Sequence, residues 1–236
     1  MRCTAIKGGR QQGGFIMTQG KTNKIGLTTL QLTELGILLA LVIALQSLSS
    51  FGFVTLCLCL VPITLGSIVL DWKCGGILGF VFGLVAVFWG IVGKDLFTLY
   101  LFQANPVVTI LICIVKGTAC GIVPGLIYKA LKKYNNLAGV FAAAMAAPIV
   151  NTGIFALGCI IIQGDVMSVA DKLLNETYNM GINLEAMGFM SVLFGVIITS
   201  NFFIEFAINV VFAPSLNRVA EVITKRINAG HSKVSK

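Results

Sequence analysis

The sequence predicts an all-α integral membrane protein with six transmembrane helices and both termini in the cytoplasm. Of its 236 residues, 57% are hydrophobic and only 11% are charged, and the mean hydropathy is +0.94. Soluble domains carry about 25% charged residues. The apolar runs reach the about 20 residues that a helix needs to cross a bilayer, where the helix must satisfy every backbone polar group itself. The bilayer is therefore the main solvent of the chain.

Residues 1–29 form a polar, glycine-rich segment with five lysines and arginines. The segment lacks the apolar core and the small-residue cleavage site of a secretory signal. We therefore expect a disordered cytoplasmic N-terminal arm, followed by a single six-helix membrane domain over 30–213. Apolar residues at helical spacing with basic flanks then predict a basic cytoplasmic tail with an interfacial helix over 214–236.

Six apolar runs fill the membrane domain, and an even number of crossings puts both termini on one side. The predicted spans are Leu30–Ser50, Val54–Leu70, Gly75–Val92, Val107–Tyr128, Leu137–Gln163 and Gly188–Ala213. Fourteen of the 17 lysines and arginines lie in the arm, the tail and the connections after the second and fourth runs. Because cytoplasmic segments are enriched in these residues, the distribution places both termini in the cytoplasm.

The longest connection, residues 164–187, carries apolar residues at helical spacing. Val166, Val169 and Leu173 would share one face of a helix there. We expect a short amphipathic helix on the outer surface of the membrane. Such a helix would act as a lid or would tie two spans together.

Besides Glu34 near the start of the first span, two charged residues lie deep inside the predicted spans. Lys116 lies near the middle of the fourth run, and Glu205 lies in the last third of the sixth. Each costs about 2.5–3.5 kcal/mol on membrane-insertion scales, so such a residue faces a cavity or a partner and marks a functional site. Either Lys116 binds a carboxylate of a ligand, or Lys116 and Glu205 form a structural ion pair.

Polar side chains also recur in apolar surroundings. In the fifth run, Pro148 interrupts the backbone hydrogen-bond ladder and is followed by Asn151 and Thr152, and the sixth run carries Asn201. Freed carbonyls and amides can line a pocket for a polar ligand, although such side chains also hold helices together. Further candidates for a pocket near the outer ends of the runs are Gln46, Trp89, Gln103 and Asn105.

Small residues recur every four positions in three of the runs, which favours close contact between helices. The stripes are Gly75, Gly79 and Gly83, then Gly139, Ala143 and Ala147, and on the first run Ala40 and Ala44. We interpret the first two stripes as internal packing. The stripe on the first run could instead be an exposed docking face.

The residue inventory excludes several classes of function. His231 in the tail is the only histidine, so a histidine-based metal site or a histidine-dependent nucleophile cannot be assembled. Most of the seven cysteines lie inside apolar runs, where cysteine behaves as a small hydrophobe. We therefore expect no metal, no cofactor and no enzymatic activity. The net charge of +8 is spread over loops and ends, so we expect no nucleic-acid partner.

One part of the sequence resembles a known family. Val61–Leu70 has the sequence VPITLGSIVL, and Gly75–Leu84 has the sequence GGILGFVFGL. Many substrate-binding S components of the energy-coupling-factor (ECF) vitamin transporters carry a similar proline-to-glycine run across helices two and three. Ala40–Ala44 is similar to the alanine-x-x-x-alanine motif on their first helix. Where the family commonly has Gly-Pro-Lys at the turn, this chain departs from it with Asp71-Trp72-Lys73.

The resemblance extends from about Leu30 to Ala213 and implies a function and partners. S components capture a vitamin outside the cell and dock, through the motif matched by Ala40 and Ala44, on a transmembrane coupling protein driven by two cytoplasmic ATPases. The sequence has no nucleotide-binding motif of its own.

The vitamin is less sharply indicated by the resemblance. The chain most resembles the pantothenate branch, and the carboxylate of pantothenate would give Lys116 a role. Riboflavin, folate or another micronutrient would suit the aromatic residues. The alternative to an S component is a stand-alone facilitator or channel for a small polar solute.

Overall fold

The computed structural model describes residues 29–48, 50–51, 54–55 and 58–234. The predicted N-terminal arm, except for its last residue, lies outside the described residues. Within the described ranges, regular structure is helical apart from one short antiparallel pair between β1 (Ser50–Phe51) and β2 (Val54–Thr55). The predicted all-α class is confirmed for this part of the chain.

The described helices follow the order of the apolar runs, with additional short elements between them. They are α1 (Thr29–Leu48), α2 (Leu60–Val69), α3 (Trp72–Val92), α4 (Leu96–Ala104), α5 (Pro106–Leu131), α6 (Asn136–Ile161), α7 (Gln163–Asp171), π1 (Lys172–Thr177), α8 (Leu184–Met187), α9 (Phe189–Ser191), π2 (Val192–Ile198) and α10 (Thr199–Val234). Here π1 and π2 are π-helical segments.

Five of the described helices are long and apolar enough to cross a membrane. They are α1, α3, α5, α6 and the Phe202–Ile223 part of α10. The second predicted span is represented by α2, which has 10 residues. At ~1.5 Å per residue α2 rises about 15 Å, half of a hydrocarbon core about 30 Å thick. A sixth crossing therefore requires the segment before Leu60 in addition to α2.

The end of α3 is set by a glycine. Gly93 has φ 85°, and its N–H donates to the carbonyl of Gly90 at 3.1 Å, while the N–H of Lys94 donates to the carbonyl of Trp89 at 3.0 Å. This is a Schellman motif, in which the left-handed residue is usually glycine because it has no Cβ. The chain then turns into α4, a helix that the sequence patterns did not predict.

Polar side chains begin the next helices. Asp95 accepts a hydrogen bond from the Thr98 backbone N–H at 3.3 Å at the start of α4. At the start of α6, Asn135 accepts from the N–H groups of Leu137 and Ala138 at 2.9 and 3.3 Å. These caps satisfy N–H groups that have no partner within the first turn of a helix. They fix where the chain re-enters the bundle.

The tightest contact joins α3 and α5, which run antiparallel. It is made by Gly75, Gly79 and Gly83 on α3 and by Cys113, Gly117 and Gly121 on α5. A Cβ at Gly83 would lie 2.6 Å from the Cys113 carbonyl oxygen, and one at Gly117 would lie 2.5 Å from that of Gly79. The obstacle is backbone, which cannot move aside. The prediction that the first stripe packs internally is confirmed, and its partner stripe on α5 was missed.

Two apolar clusters mark the ends of the bundle. At the end where α4 and α7 lie, here called the α4 end, Leu101, Ile112 and Leu193 are buried together. At the opposite end, here called the turn end because the α2–α3 and α5–α6 turns lie there, Ile68 and Ala213 are buried together. The second small-residue stripe is buried on α6, as predicted. Ala143 belongs to the turn-end cluster, and Gly139 directly precedes Val140, another member of that cluster.

The long connection and the C-terminal helix are both integrated into these clusters. Val166 and Val169 of α7 are buried in the α4-end cluster, so the helical spacing did identify a buried face. The predicted boundary between residues 213 and 214 falls inside α10, which continues to Val234. Leu216 and Ala220 are buried in the turn-end cluster, so the beginning of the predicted interfacial helix is a continuation of the last membrane helix.

Candidate functional site

Lys116 lies in the middle of α5 and faces α6. Its Nζ is 5.0 Å from the centroid of the Phe155 ring. The Phe155 ring in turn packs edge-on against Phe97 of α4, with 5.9 Å between the centroids. A cation over an aromatic face gains about 0.5–2 kcal/mol, depending on desolvation. The Lys116 ammonium of α5 therefore lies against a ring of α6 that is itself packed on α4.

Buried thiols border the same group. Cys113 and Cys120 lie one turn to either side of Lys116 on α5, and Cys159 lies one turn beyond Phe155 on α6. A thiol is a weak donor and a weak acceptor. The low polarity of these surroundings strengthens the attraction between the ammonium and a carboxylate that reaches it.

Asn151 lies one turn before Phe155 on α6, nearer the turn end than the ring that contacts Lys116. Asn151 is buried, and its Nδ2 donates to Oε2 of Glu205 at 3.5 Å. Two of the predicted polar positions, on α6 and α10, are therefore in contact.

Glu205 is itself buried, and it also engages the next turn of its own helix. The Nδ2 of Asn209 donates to the Glu205 carbonyl oxygen at 2.9 Å. The ion pair between Lys116 and Glu205 stays a prediction.

Five buried polar atoms of the described residues have no hydrogen-bond partner among the described groups. Besides Oε2 of Glu34 and Nε1 of Trp89, they are Oδ1 of Asn151, Oδ1 of Asn209 and Oγ1 of Thr64. Thr64 lies on α2, and α2, α6 and α10 pack on one another at the turn-end cluster one turn away. An unsatisfied buried polar group costs several kcal/mol in an apolar medium. These oxygens could accept hydrogen bonds from a bound polar molecule.

Gln46 and Trp89 form a second polar group nearer the α4 end. Oε1 of the buried Gln46 accepts from the Cys59 thiol at 3.1 Å, which links α1 to the start of α2. Lys94 lies with its Nζ 3.8 Å from the centroid of the Trp89 ring and donates to the Ser47 carbonyl at 3.4 Å. Nε1 of Trp89 is buried without a hydrogen-bond partner among the described groups.

The remaining predicted residues have different environments. Asn105 is the cap of α5, where Oδ1 accepts from the Val108 N–H and Nδ2 donates to Asp165 of α7, both at 3.4 Å. Gln103 is exposed, and Thr152 is half-buried. The side chain of Asn201 lies outside the described residues. Asn105 therefore has a structural use that its sequence context did not reveal.

The predicted docking residues lie on an open face of α1. Ala40 and Ala44 are both exposed. One turn before Ala40, a Cβ built on Gly36 would meet nothing within 4 Å. Among the described helices, no neighbour covers this stripe.

The sequence patterns missed Thr64, Phe97 and Phe155. A hydroxyl inside a short apolar helix was the available signal for Thr64. The two phenylalanines carry no such signal, because the chain has 16 phenylalanines in mostly apolar runs. Their position beside Lys116 depends on how α4, α5 and α6 pack.

A cation, an aromatic face and buried amides are the kinds of group that line small-molecule sites. The family model of the ECF transporter, substrate-specific component, matches residues 30–216 of the chain. No curated protein and no solved structure matches the chain significantly. The family match includes α1 to α9 and the first half of α10. The chain therefore belongs to the substrate-specific components of ECF transporters, which are membrane-embedded substrate-binding subunits and not enzymes.

Proposed function

We propose that this subunit captures a vitamin from outside the cell, with Lys116 as the group that binds the anionic part of the ligand. The observation that carries the proposal is the position of the Lys116 ammonium against Phe155, one turn of α6 away from the buried amide of Asn151. A cation, an aromatic face and amide oxygens in one place suit a molecule with a carboxylate, an apolar body and hydrogen-bond donors.

Pantothenate is the vitamin that these groups suit best. Its carboxylate would bind Lys116, and its hydroxyl and amide donors would use the free Oδ1 atoms of Asn151 and Asn209. The apolar part of the molecule would lie against Phe155. Riboflavin or folate would instead require stacking on flat rings such as Phe97 or Trp89, whose indole N–H is available as a donor.

We further propose six crossings with both termini in the cytoplasm. The segment before Leu60 would complete the crossing that α2 begins. The turn end carries Lys73 and the lysines of the α5–α6 turn, whereas the connection at the α4 end carries acidic residues such as Asp165 and Asp171. Because positive residues favour the cytoplasmic side, this supports a vitamin site that opens outward. An impermeant thiol reagent should label a cysteine placed at residue 172 from outside, and one at residue 133 only after the membrane is opened.

The partners of this family are a coupling protein and ATPase subunits, and we propose that α1 docks on the coupling protein. Ala40 and Ala44 are small and exposed, so another helix could approach the α1 backbone closely there. The nucleotide hydrolysis that drives transport would then come from two ATPases bound to that partner.

The proposal is tested by identifying the natural ligand. The full chain is purified in detergent and denatured, and mass spectrometry identifies any small molecule that is released. We expect one vitamin in near-stoichiometric amount, and we expect the same vitamin to raise the thermal unfolding midpoint of a ligand-free preparation.

The two measurements also separate the alternatives. A riboflavin-like or folate-like molecule would keep the class of function and replace pantothenate. No released molecule, together with no shift of the unfolding midpoint over a panel of vitamins, would contradict vitamin binding and favour a stand-alone facilitator or channel.

A further inference from the structure

A cavity lies at the turn end, and Lys116 is not among the residues that line it. It has a volume of about 330 Å³ and lies between the end of α2, the start of α3 and the end of α5. This is near the lower limit of small-ligand sites, which span about 300–1,000 Å³. Its lining includes Ser67, Asp71, Lys73, Tyr128, Lys129 and Lys132. Three lysines against one aspartate give the cavity a net positive lining.

Two of these lysines rest on aromatic rings. Nζ of Lys73 is 5.7 Å from the centroid of Trp72, and Nζ of Lys132 is 5.4 Å from the centroid of Tyr128. The Tyr128 ring is held in turn, because its hydroxyl donates to Oδ1 of Asn136 at 2.8 Å. These contacts keep the ammonium groups beside the cavity while leaving their N–H donors available to a ligand.

The cavity also combines charge with apolar surface. Ile68, Val69 and Leu70, at the end of α2, line it beside the lysines. No carboxylate of the described residues makes an ion pair with Lys73, Lys129 or Lys132 within the chain. Three lysine ammonium groups beside an aliphatic wall match an anionic head on an apolar body.

We propose that this cavity binds the phosphate headgroup of an anionic phospholipid at the membrane surface. The lysines would bind the phosphate oxygens, and the aliphatic wall would contact the first part of the acyl chains. A phospholipid is favoured over free phosphate because the aliphatic side chains of Ile68, Val69 and Leu70 line the cavity beside the lysines and would contact an acyl chain, which free phosphate lacks. The site is separate from the vitamin site and does not depend on its assignment.

Retention of lipid by the full chain tests the proposal. The protein is reconstituted in nanodiscs of phosphatidylcholine mixed with phosphatidylglycerol, released into the gas phase, and its bound lipids are counted by native mass spectrometry. We expect preferential retention of one phosphatidylglycerol. A lysine near an anionic headgroup contributes about 1 kcal/mol, so the K73Q/K129Q/K132Q variant should lose about 100-fold in affinity.

Matched variants keep the outcome interpretable. Lys133→Gln removes a charge from the same turn outside the cavity and should retain the lipid as the unmodified chain does. The K73R/K129R/K132R variant preserves the charge and should restore retention, which separates binding from loss of folding.

Equal retention of both lipids by the unmodified chain, or unchanged retention by the triple glutamine variant, would overturn the proposal. Displacement of the lipid by millimolar inorganic phosphate, with the same variants weakened, would assign the site to soluble phosphate and overturn the lipid assignment.

Discussion

The α3–α5 interface and the open face of α1 carry the same pattern of small residues but have opposite environments. At the interface, a Cβ on Gly79 or Gly121 would overlap a backbone carbonyl of the facing helix. On α1, Gly36 has nothing within 4 Å of a built Cβ, and Ala40 and Ala44 are exposed. We call the α3 stripe, which α5 covers, the closed stripe, and the α1 stripe, which no described helix covers, the open stripe.

The two stripes differ because one has a matching stripe on a facing helix and the other does not, and not because of their own residues. On α5, Gly117 and Gly121 repeat the four-residue spacing of α3, so two stripes meet and the backbones come into contact. The α1 stripe has no such match among the described helices, so it is open to contact by another molecule. A small-residue stripe therefore predicts close approach but does not say which helix approaches.

Filling the closed stripe should have the largest effect. Gly79→Ala would push a methyl group into the Gly117 carbonyl, where only backbone could move, and should cost about 3 kcal/mol or more of folding free energy. Gly36→Ala is the matched control, because it adds the same methyl to an open position and should be neutral or stabilising by up to about 1 kcal/mol. Thermal unfolding in detergent measures both. Equal midpoints for the two variants would contradict the distinction between closed and open stripes.

Filling the open stripe should leave the subunit folded and prevent its coupling. The Ala40→Leu and Ala44→Leu double variant should bind ligand and unfold like the unmodified chain, because neither side chain packs against a described neighbour. Uptake by the assembled transporter should be abolished, since bulk prevents close helix approach. Ala207→Leu, an equally exposed position on α10, is the control and should keep uptake. Normal uptake by the double variant would disprove docking through this stripe.

The closed stripe also fixes the position of Lys116, which directly precedes Gly117. Lys116→Met should weaken binding of an acidic vitamin about 10- to 100-fold, the range for loss of a hydrogen bond to a charged group. Titration calorimetry measures the affinity, and Lys133→Met on the α5–α6 turn is the control. A variant that no longer folds would instead support the structural ion pair with Glu205, because a broken buried pair is strongly destabilising.

The smallest expected effect concerns the cap where α5 begins, at the far end of the closed interface. Asn105→Ala removes the acceptor for the Val108 N–H and the contact with Asp165, and should cost about 1 kcal/mol of stability with ligand affinity unchanged. Gln103→Ala, two residues earlier and exposed, removes no cap and should leave the stability unchanged. A large loss of affinity with unchanged stability would return Asn105 to the binding site.

The membrane helices were predictable because hydropathy is a local property. The predicted span Val107–Tyr128 corresponds to α5 (Pro106–Leu131), and Leu137–Gln163 corresponds to α6 (Asn136–Ile161). The second run was less well predicted, because the apolar run continues through residues that precede the helix at Leu60. The sixth run gave no sign of the break into π2 and α10, which is a matter of backbone geometry in an evenly apolar sequence.

The candidate site was predictable only where polarity was unusual. Lys116, Asn151 and Glu205 were identified because ionisable and amide groups are costly in a membrane. Asn105 has the same residue type as Asn151, and only its position at the start of a helix makes it a cap. Phe155 could not be selected, because one phenylalanine in an apolar run is like any other until a cation lies against it.

The sequence by itself determined that the chain is an all-α membrane protein and where its long helices lie, since each helix satisfies its own backbone and its apolar length sets its crossing. Its motif also indicated the family to which it belongs. Tertiary structure decided which face of each helix is covered. Three features depend on contacts between residues far apart in the chain. They are the pairing of Gly79 with Gly117, the packing of Lys116 on Phe155 and of Phe155 on Phe97, and the exposure of Ala40. A local sequence pattern can indicate that a helix face requires a partner, but it does not show which part of the chain provides that partner.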